Sequence, residues 1–182
     1  SKHDDLFLLR FLLSYEPRGS DVSAAVAAVR RSLSLRQIHK LDEVGHDLEH
    51  TPMRRWLDAH LHEQLAHAID VHIVQPHPDA PLIVCTRLSE CHFENLLTEL
   101  GSANYVRASI MLMEFVSRRM DAATRRTGRL VKYIRAMDCS GLSSSSLFEG
   151  LRFLRMEAAK VIRDMQVLYP QMLGNVLFLH GP

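Results

Sequence analysis

Residues 169–182 read YPQMLGNVLFLHGP, and this segment carries the strongest sequence signal for the fold. Tyr169 and Pro170 end a long amphipathic stretch, and Gly174 predicts a turn. The following apolar run, VLFL (176–179), is typical of a strand that is covered on both faces in the middle of a sheet. Because so few residues follow this run, we expect the chain to be part of a fold that continues beyond it.

The composition indicates a globular protein with no dominant charge. Of the 182 residues, 47% are apolar, and 22 Lys and Arg nearly cancel 21 Asp and Glu. A substantial core is therefore possible, and nothing in the overall charge favours nucleic acid or membrane binding. No apolar run approaches the roughly 20 residues that span a bilayer. Three cysteines are too few for a disulfide framework, and Cys85 and Cys139 lie in apolar runs, as small buried residues would. We expect a cytoplasmic protein that contacts membranes only peripherally.

The N-terminal part, residues 1–70, is predicted to be a helical lobe. Leu6, Leu9 and Leu13 recur at helical spacing, and a second helix begins at Asp21. A further short helix is expected after Ser34. Another helix is predicted from Thr51-Pro52 to about residue 67.

The remainder, residues 71–182, is predicted to be an α/β lobe. Two β-rich runs in 71–88 flank a Pro/Asp turn and indicate a hairpin or a bent strand. A helix over 102–126 ends before Gly128, a strand follows over 130–138, and an amphipathic helix then leads to the closing strand. The order strand, helix, strand, helix, strand predicts a largely parallel sheet with covering helices.

No motif in the sequence predicts catalysis or metal binding. The run HLHEQLAH (60–67) places His62 and His67 five residues apart, whereas a helical zinc motif needs four. Serines 143–146 lack the surrounding glycines of a nucleophile elbow. Asp138, at the end of a strand, is expected to cap a turn. We therefore expect that the protein is not an enzyme and that it binds neither a metal ion nor a cofactor.

Arg135 is unusual because it lies inside an apolar strand. Alternation along the strand places it on the same face as Tyr133. Two interpretations remain open. The two side chains could form an aromatic–cation pair that faces a pocket or a helix, or Arg135 could lie at a sheet edge and extend to water.

Several segments together resemble the CRAL-TRIO lipid-binding family, of the yeast phosphatidylinositol-transfer and tocopherol-transfer type. DDLFLLRFLLSYEPRGSDVSAAV (4–26) resembles the family's N-terminal pattern, and RAMDCSGLS (135–143) its strand-ending Asp-x-x-Gly-x-Ser. YPQMLGNVLFLHGP resembles its Tyr-Pro-Glu-Arg-x-Gly, strand and Asn-Ala-Pro, and APLIVCTRL (80–88) resembles the strand that carries Arg-Pro-Val. In this order, the segments cover nearly the whole chain.

The resemblance implies a protein that holds one phospholipid or other hydrophobic molecule in an apolar cavity and exchanges it at membrane surfaces. It further implies that the family's gate helix and floor strands would follow Pro182. The positions that correspond to the family's lipid-binding residues are Arg36, Tyr133, Arg135 and Gln171. The chain departs from the family pattern at Gln37, Gln171 and Met172, which replace a lysine, a glutamate and an arginine. The alternative is an interaction or targeting module of a larger protein that transfers no lipid and binds a protein partner.

Overall fold

The computed structural model describes residues 4–16, 21–43, 71–91, 101–143, 145, 148, 152 and 159–180. The α-helices in these ranges are α1 (Asp5–Tyr15), α2 (Val22–Ile38), α3 (Ser102–Thr127) and α4 (Ala159–Leu168). The strands are β1 (Val71–Val74), β2 (Ile83–Arg87), β3 (Tyr133–Asp138) and β4 (Leu173–Leu179). One-turn 3-10 helices cover Leu41–Glu43 and Leu88–Glu90.

The four strands form one mixed sheet in the order β1-β2-β3-β4. β1 and β2 are antiparallel, which confirms the predicted hairpin, whereas β2, β3 and β4 are parallel to one another. In the chain, α3 lies between β2 and β3, and α4 lies between β3 and β4. The predicted α/β class with a largely parallel sheet is therefore confirmed.

The predicted helix start at Asp21 is confirmed by a capping bond, and Asp4 caps α1 in the same way, although that cap was not predicted from the sequence. The Asp4 carboxylate accepts hydrogen bonds from the Leu6 and Phe7 amides, and that of Asp21 accepts one from Ala24. The separate short helix expected after Ser34 is wrong, because α2 runs without interruption to Ile38. The Ser34 hydroxyl donates to the Arg30 carbonyl, four residues back, so it supports the helix interior instead of starting a new helix.

Helix α3 packs on one face of the sheet and supplies more residues of the buried core cluster than any other element. Its predicted end is confirmed: Gly128 adopts a left-handed conformation and donates its amide hydrogen bond to Thr124. The buried core cluster joins α3 to β2, β3, α4 and the loop before β4, through residues that include Val84, Ile110, Phe115, Val116, Met120, Tyr133, Leu168 and Met172. We call the face of the sheet toward α3 the inner face.

Two expectations for the closing strand are wrong. Gly174 lies within β4 and not in a turn. A Cβ at this position would lie 3.2 Å from the Lys132 Cβ and 3.3 Å from the Tyr133 carbonyl oxygen, so glycine permits close approach of β4 to β3. The strand does not lie covered in mid-sheet either, because among the described strands β4 is the last in the sheet order and all its residues are exposed.

The cysteines also differ from expectation. Cys85 and Cys139 are only half-buried, whereas Cys91 is buried, and all three are free. Cys85 points away from the core because the neighbouring residues Val84 and Thr86 occupy the inner face of β2.

Several predictions lie outside the described residues. They are the helix from Thr51-Pro52, the histidine run 60–67, most of the first part of the amphipathic helix before the closing strand, with the apolar positions 147, 151, 154 and 158, and the lobe boundary near residue 70. The N-terminal helices nevertheless contact the second predicted lobe, since Arg10 and Arg36 of α1 and α2 bond to residues of α3.

Candidate functional site

The candidate site is the apolar surface formed by β4 and the sheet face opposite α3. β4 contains seven residues without any charge, and Leu177 and Phe178 are 46% and 65% exposed. Among the described residues, no strand pairs with its second edge. A long uncharged edge strand of this kind is rare on a soluble protein, because it exposes apolar side chains together with unpaired main-chain groups.

The strand register shows that the centre of the face opposite α3 is apolar, whereas polar residues lie at its margins: His72, Arg87, Asp138 and Asn175. Residues aligned across parallel strands share a face, so Cys85, Ala136 and Leu177 form one row. We call this face the outer face; its apolar residues on β2, β3 and β4 are Ile83, Cys85, Ile134, Ala136, Leu177 and Leu179. None of the six belongs to the core cluster, and Ala136 alone is buried.

The position of β4 is fixed by the loop Tyr169–Met172. The Met172 carbonyl accepts a hydrogen bond from the Tyr133 amide, which joins the loop to β3. Gln171 has a positive φ of 57°, which is unfavourable for a residue with a side chain. Two hydrogen bonds of its side-chain amide offset this conformational cost. The amide oxygen accepts one from Lys132 Nζ, and the amide nitrogen donates one to the Leu13 carbonyl.

Arg10 anchors this loop to the helices. Its guanidinium is almost fully buried and contacts Asp121 at 2.7 Å. It also donates to the main-chain carbonyls of Gln171 and Val131 and to the Thr124 hydroxyl. These partners satisfy a buried cation, which explains why an arginine occupies the interior of an apolar helix.

Arg36 takes part in a second buried network, centred on Glu114. Its guanidinium donates two hydrogen bonds to Glu114, at 2.9 and 3.1 Å, and also bonds Asp42. Arg118 and the Tyr169 hydroxyl donate to the same carboxylate. Burial alone would raise the pKa of Glu114, but the bonds and charges of Arg36 and Arg118 outweigh it and lower that pKa. Burial and the Glu114 charge raise the pKa of Tyr169.

Tyr133 and Arg135 lie together on the inner face, beside Val84 of β2. β3 is an interior strand, so the edge position considered for Arg135 is wrong. Burial raises the pKa of Tyr133 and of Tyr105 on α3, and the Arg135 charge opposes both shifts. Arg135 thus lies on the face toward α3, and contact of its guanidinium with an aromatic ring stays a prediction.

The four predicted lipid-binding residues do not form one cluster. Tyr133 and Arg135 share the inner face, Arg36 is bonded to Glu114, and Gln171 lies in the loop before β4. None of the four lies on the outer face. Whether any of them contacts a ligand stays a prediction.

Arg10, Glu114 and Tyr169 are important residues that sequence reasoning missed. The available signal was the same for Arg10 and Glu114: each is a lone charge within an apolar helical run, LLRFLL and MLMEFV. Such charges are buried only with partners, so two of opposite sign in one chain indicate buried ion pairs.

The carboxyl ends of the three parallel strands meet in a row of polar groups. Asp138 accepts a hydrogen bond from the Ser140 amide at 2.9 Å, which confirms that it caps the turn after β3. His180 Nδ1 lies 3.0 Å from the same carboxylate, and Arg87 Nε lies 4.0 Å from its second oxygen. Hydrogen bonds from Ser140, its amide above all, and from His180 lower the pKa of Asp138 to about 2. Within the described ranges, no group of three potential ligand side chains could hold a metal ion.

In the part of the chain that the structure describes, no helix is both long and apolar enough to cross a membrane. A scan against models of protein families finds none that matches the chain, and a search of curated proteins finds no match.

Proposed function

We propose that this chain binds a single hydrophobic molecule, a phospholipid or a terpenoid, with its hydrocarbon against the outer face of the sheet, in the manner of CRAL-TRIO proteins. The observation that carries the proposal is the apolar outer face, which ends in the exposed side chains of Leu177 and Leu179. Covering such a surface with acyl chains is favourable by about 0.8 kcal/mol per buried methylene. No bond is made or broken, so no catalytic residue is assigned.

The fold supports the same proposal. A parallel sheet is normally covered on both faces, and among the described residues the core cluster of α3 and α4 lies on the inner face. A hydrocarbon layer on the outer face would complete the usual arrangement. The protein would then work in the cytoplasm and contact membranes peripherally while its ligand enters or leaves.

The test is lipid recovery combined with transfer. The purified chain is incubated with vesicles that contain a labelled phospholipid or terpenoid and is then separated from them. Bound lipid is identified by mass spectrometry, and transfer to acceptor vesicles is followed over time. We expect about one lipid per chain, and neither bound lipid nor transfer would contradict the proposal.

The second candidate function is an interaction module that transfers no lipid. It is favoured by the free edge of β4, because an extended segment of another protein could pair with the main chain there. The two functions predict that different groups of β4 become shielded from solvent. Lipid on the outer face would shield the Leu177 and Leu179 side chains, whereas an added strand would slow amide hydrogen exchange along β4.

A further inference from the structure

A cleft lies on the helical side of the molecule, between α1, α2 and α4. Its volume is about 580 Å³, which lies within the range of small-molecule sites. Its floor is formed by residues with buried side chains, Phe11, Tyr169 and Met172. The floor is therefore rigidly packed, while the walls carry polar groups.

Among the residues that the structure describes, the walls of this cleft contain two arginines and no acidic residue. Arg31 comes from α2 and Arg163 from α4, and both side chains are exposed. Within the described part of the chain, neither guanidinium has a hydrogen bond or an ion pair. Two cations without a counter-charge in one concave site raise the local positive potential and attract anions.

Other arginines of this protein that line a cleft do have acidic partners, as a neighbouring cleft shows. That cleft has a volume of about 250 Å³ and is lined by four arginines, each of which has a carboxylate partner. The pairs are Arg10 with Asp121, Arg36 with Glu114 and Asp42, Arg118 with Glu114, and Arg125 with Asp4, so four carboxylates balance four guanidinium groups. Its positive charge is thus neutralised within the protein, in contrast to that of the larger cleft.

We propose that Arg31 and Arg163 form a binding site for a phosphate monoester. A phosphate group accepts several charge-assisted hydrogen bonds, and guanidinium groups match its geometry well. Neither arginine occupies a lipid-binding position implied by the family resemblance. The side chains of Ser14, Gln166 and Gln171 also line the cleft and provide further polar groups.

The cleft also reaches the apolar surface, because Leu173, the first residue of β4, lines it. A ligand with both a phosphate and a hydrocarbon part could therefore contact both. The site itself does not depend on the lipid-binding proposal, since a soluble phosphate ester tests it directly.

The experiment uses the whole chain and single arginine variants. Arg31→Gln and Arg163→Gln each remove one proposed phosphate contact. Arg30→Gln is the matched control, because Arg30 is also exposed on α2 and lies outside the cleft. All three variants change the net charge equally, and we expect unchanged unfolding midpoints because none of these side chains has a described partner.

Two probes distinguish the sources of phosphate. Glycerol phosphate is titrated by calorimetry, and vesicles of phosphatidylcholine with added phosphatidic acid are compared with vesicles that carry phosphatidylserine instead. We expect Arg31→Gln and Arg163→Gln to weaken binding by about tenfold, as for the loss of one charge-assisted bond, and Arg30→Gln to leave it unchanged.

Each outcome has a defined meaning. Arginine-dependent binding of glycerol phosphate without a preference for phosphatidic acid would support the site and assign it to a soluble ester. Arginine-dependent preference for phosphatidic acid vesicles would support it and assign it to a lipid headgroup. Absence of binding to both probes, or equal weakening by Arg30→Gln, would overturn the proposal.

Discussion

The guanidinium of Arg10 donates a 3.0 Å hydrogen bond to the main-chain carbonyl of Gln171, 161 positions away in the sequence. This bond connects the first described helix to the loop that directs β4 to the sheet edge. The exposed strand is therefore held by a buried polar anchor, although its own side chains contribute little packing.

Replacement of Arg10 tests the anchor. Arg10→Met retains much of the apolar side-chain volume but leaves Asp121 and three main-chain or hydroxyl acceptors without their donor. We expect a loss of about 3 kcal/mol in the free energy of unfolding. Urea denaturation measures it, with Arg30→Met as the exposed control. An unchanged midpoint for Arg10→Met would show that the network contributes nothing to stability.

Glu114 makes stability depend on pH in the acidic range. Its pKa is lowered in the folded protein, so its carboxylate stabilises the fold above the ordinary glutamate pKa, and that contribution is lost as the pH falls through the lowered value. In Glu114→Gln, we expect lower stability at neutral pH and a weaker decline towards acid. Thermal denaturation as a function of pH measures both effects, and parallel curves for the two proteins would contradict this role.

Tyr169→Phe removes a single hydroxyl from the same network. The hydroxyl donates to Glu114 and Ile110, and its loss leaves buried acceptors with fewer partners. We expect about 1 to 2 kcal/mol of destabilisation. If Tyr169 and Glu114 act in one network, the Tyr169→Phe effect should be smaller in the Glu114→Gln background. Additive effects in a double-mutant cycle would argue against coupling.

The Asp138 carboxylate should remain mostly ionised at about pH 3, where an ordinary aspartate is largely protonated. Its pKa is about 2, and the Ser140 amide is the largest cause. Ser140→Pro removes this donor, so we expect the Asp138 pKa to rise towards the ordinary aspartate value of about 4. Carbon-detected NMR titration of the carboxyl group measures the shift. His180→Ala should raise the pKa less than Ser140→Pro does, and the reverse order would show that the histidine is the main cause.

The sequence predicted local structure better than the long-range arrangement. Gly128 and Asp21 mark helix ends through their own backbone and capping chemistry, so those ends could be predicted from a few neighbouring residues. The exposure of the VLFL run could not be predicted in this way. An apolar run indicates that a strand buries its side chains against something, but it does not indicate which strand or ligand packs against it. The role of Arg10 was missed for a similar reason, because its partners Asp121 and Gln171 are distant in the sequence. The apolar residues around it did not reveal its burial either, since the neighbouring Leu9 is exposed.

The candidate site was predicted only in part. Arg36, Tyr133, Arg135 and Gln171 were selected by position within the resemblance, and alternation correctly placed Tyr133 and Arg135 on one face. Which face carries the core depends on where α3 packs, and the sequence does not contain that information locally. The outer-face residues Leu177 and Leu179 therefore became visible only from the strand register.

The most direct measurement of the central claim is the amount of lipid bound by two double variants of β4. Leu177→Ser with Leu179→Ser changes the outer face, whereas Val176→Ser with Phe178→Ser changes the opposite face of the same strand. If hydrocarbon lies on the outer face, the first variant should lose about tenfold or more in lipid affinity, and the second should bind lipid much like the parent chain. Equal losses in both variants, or no lipid bound by the parent chain, would contradict the account.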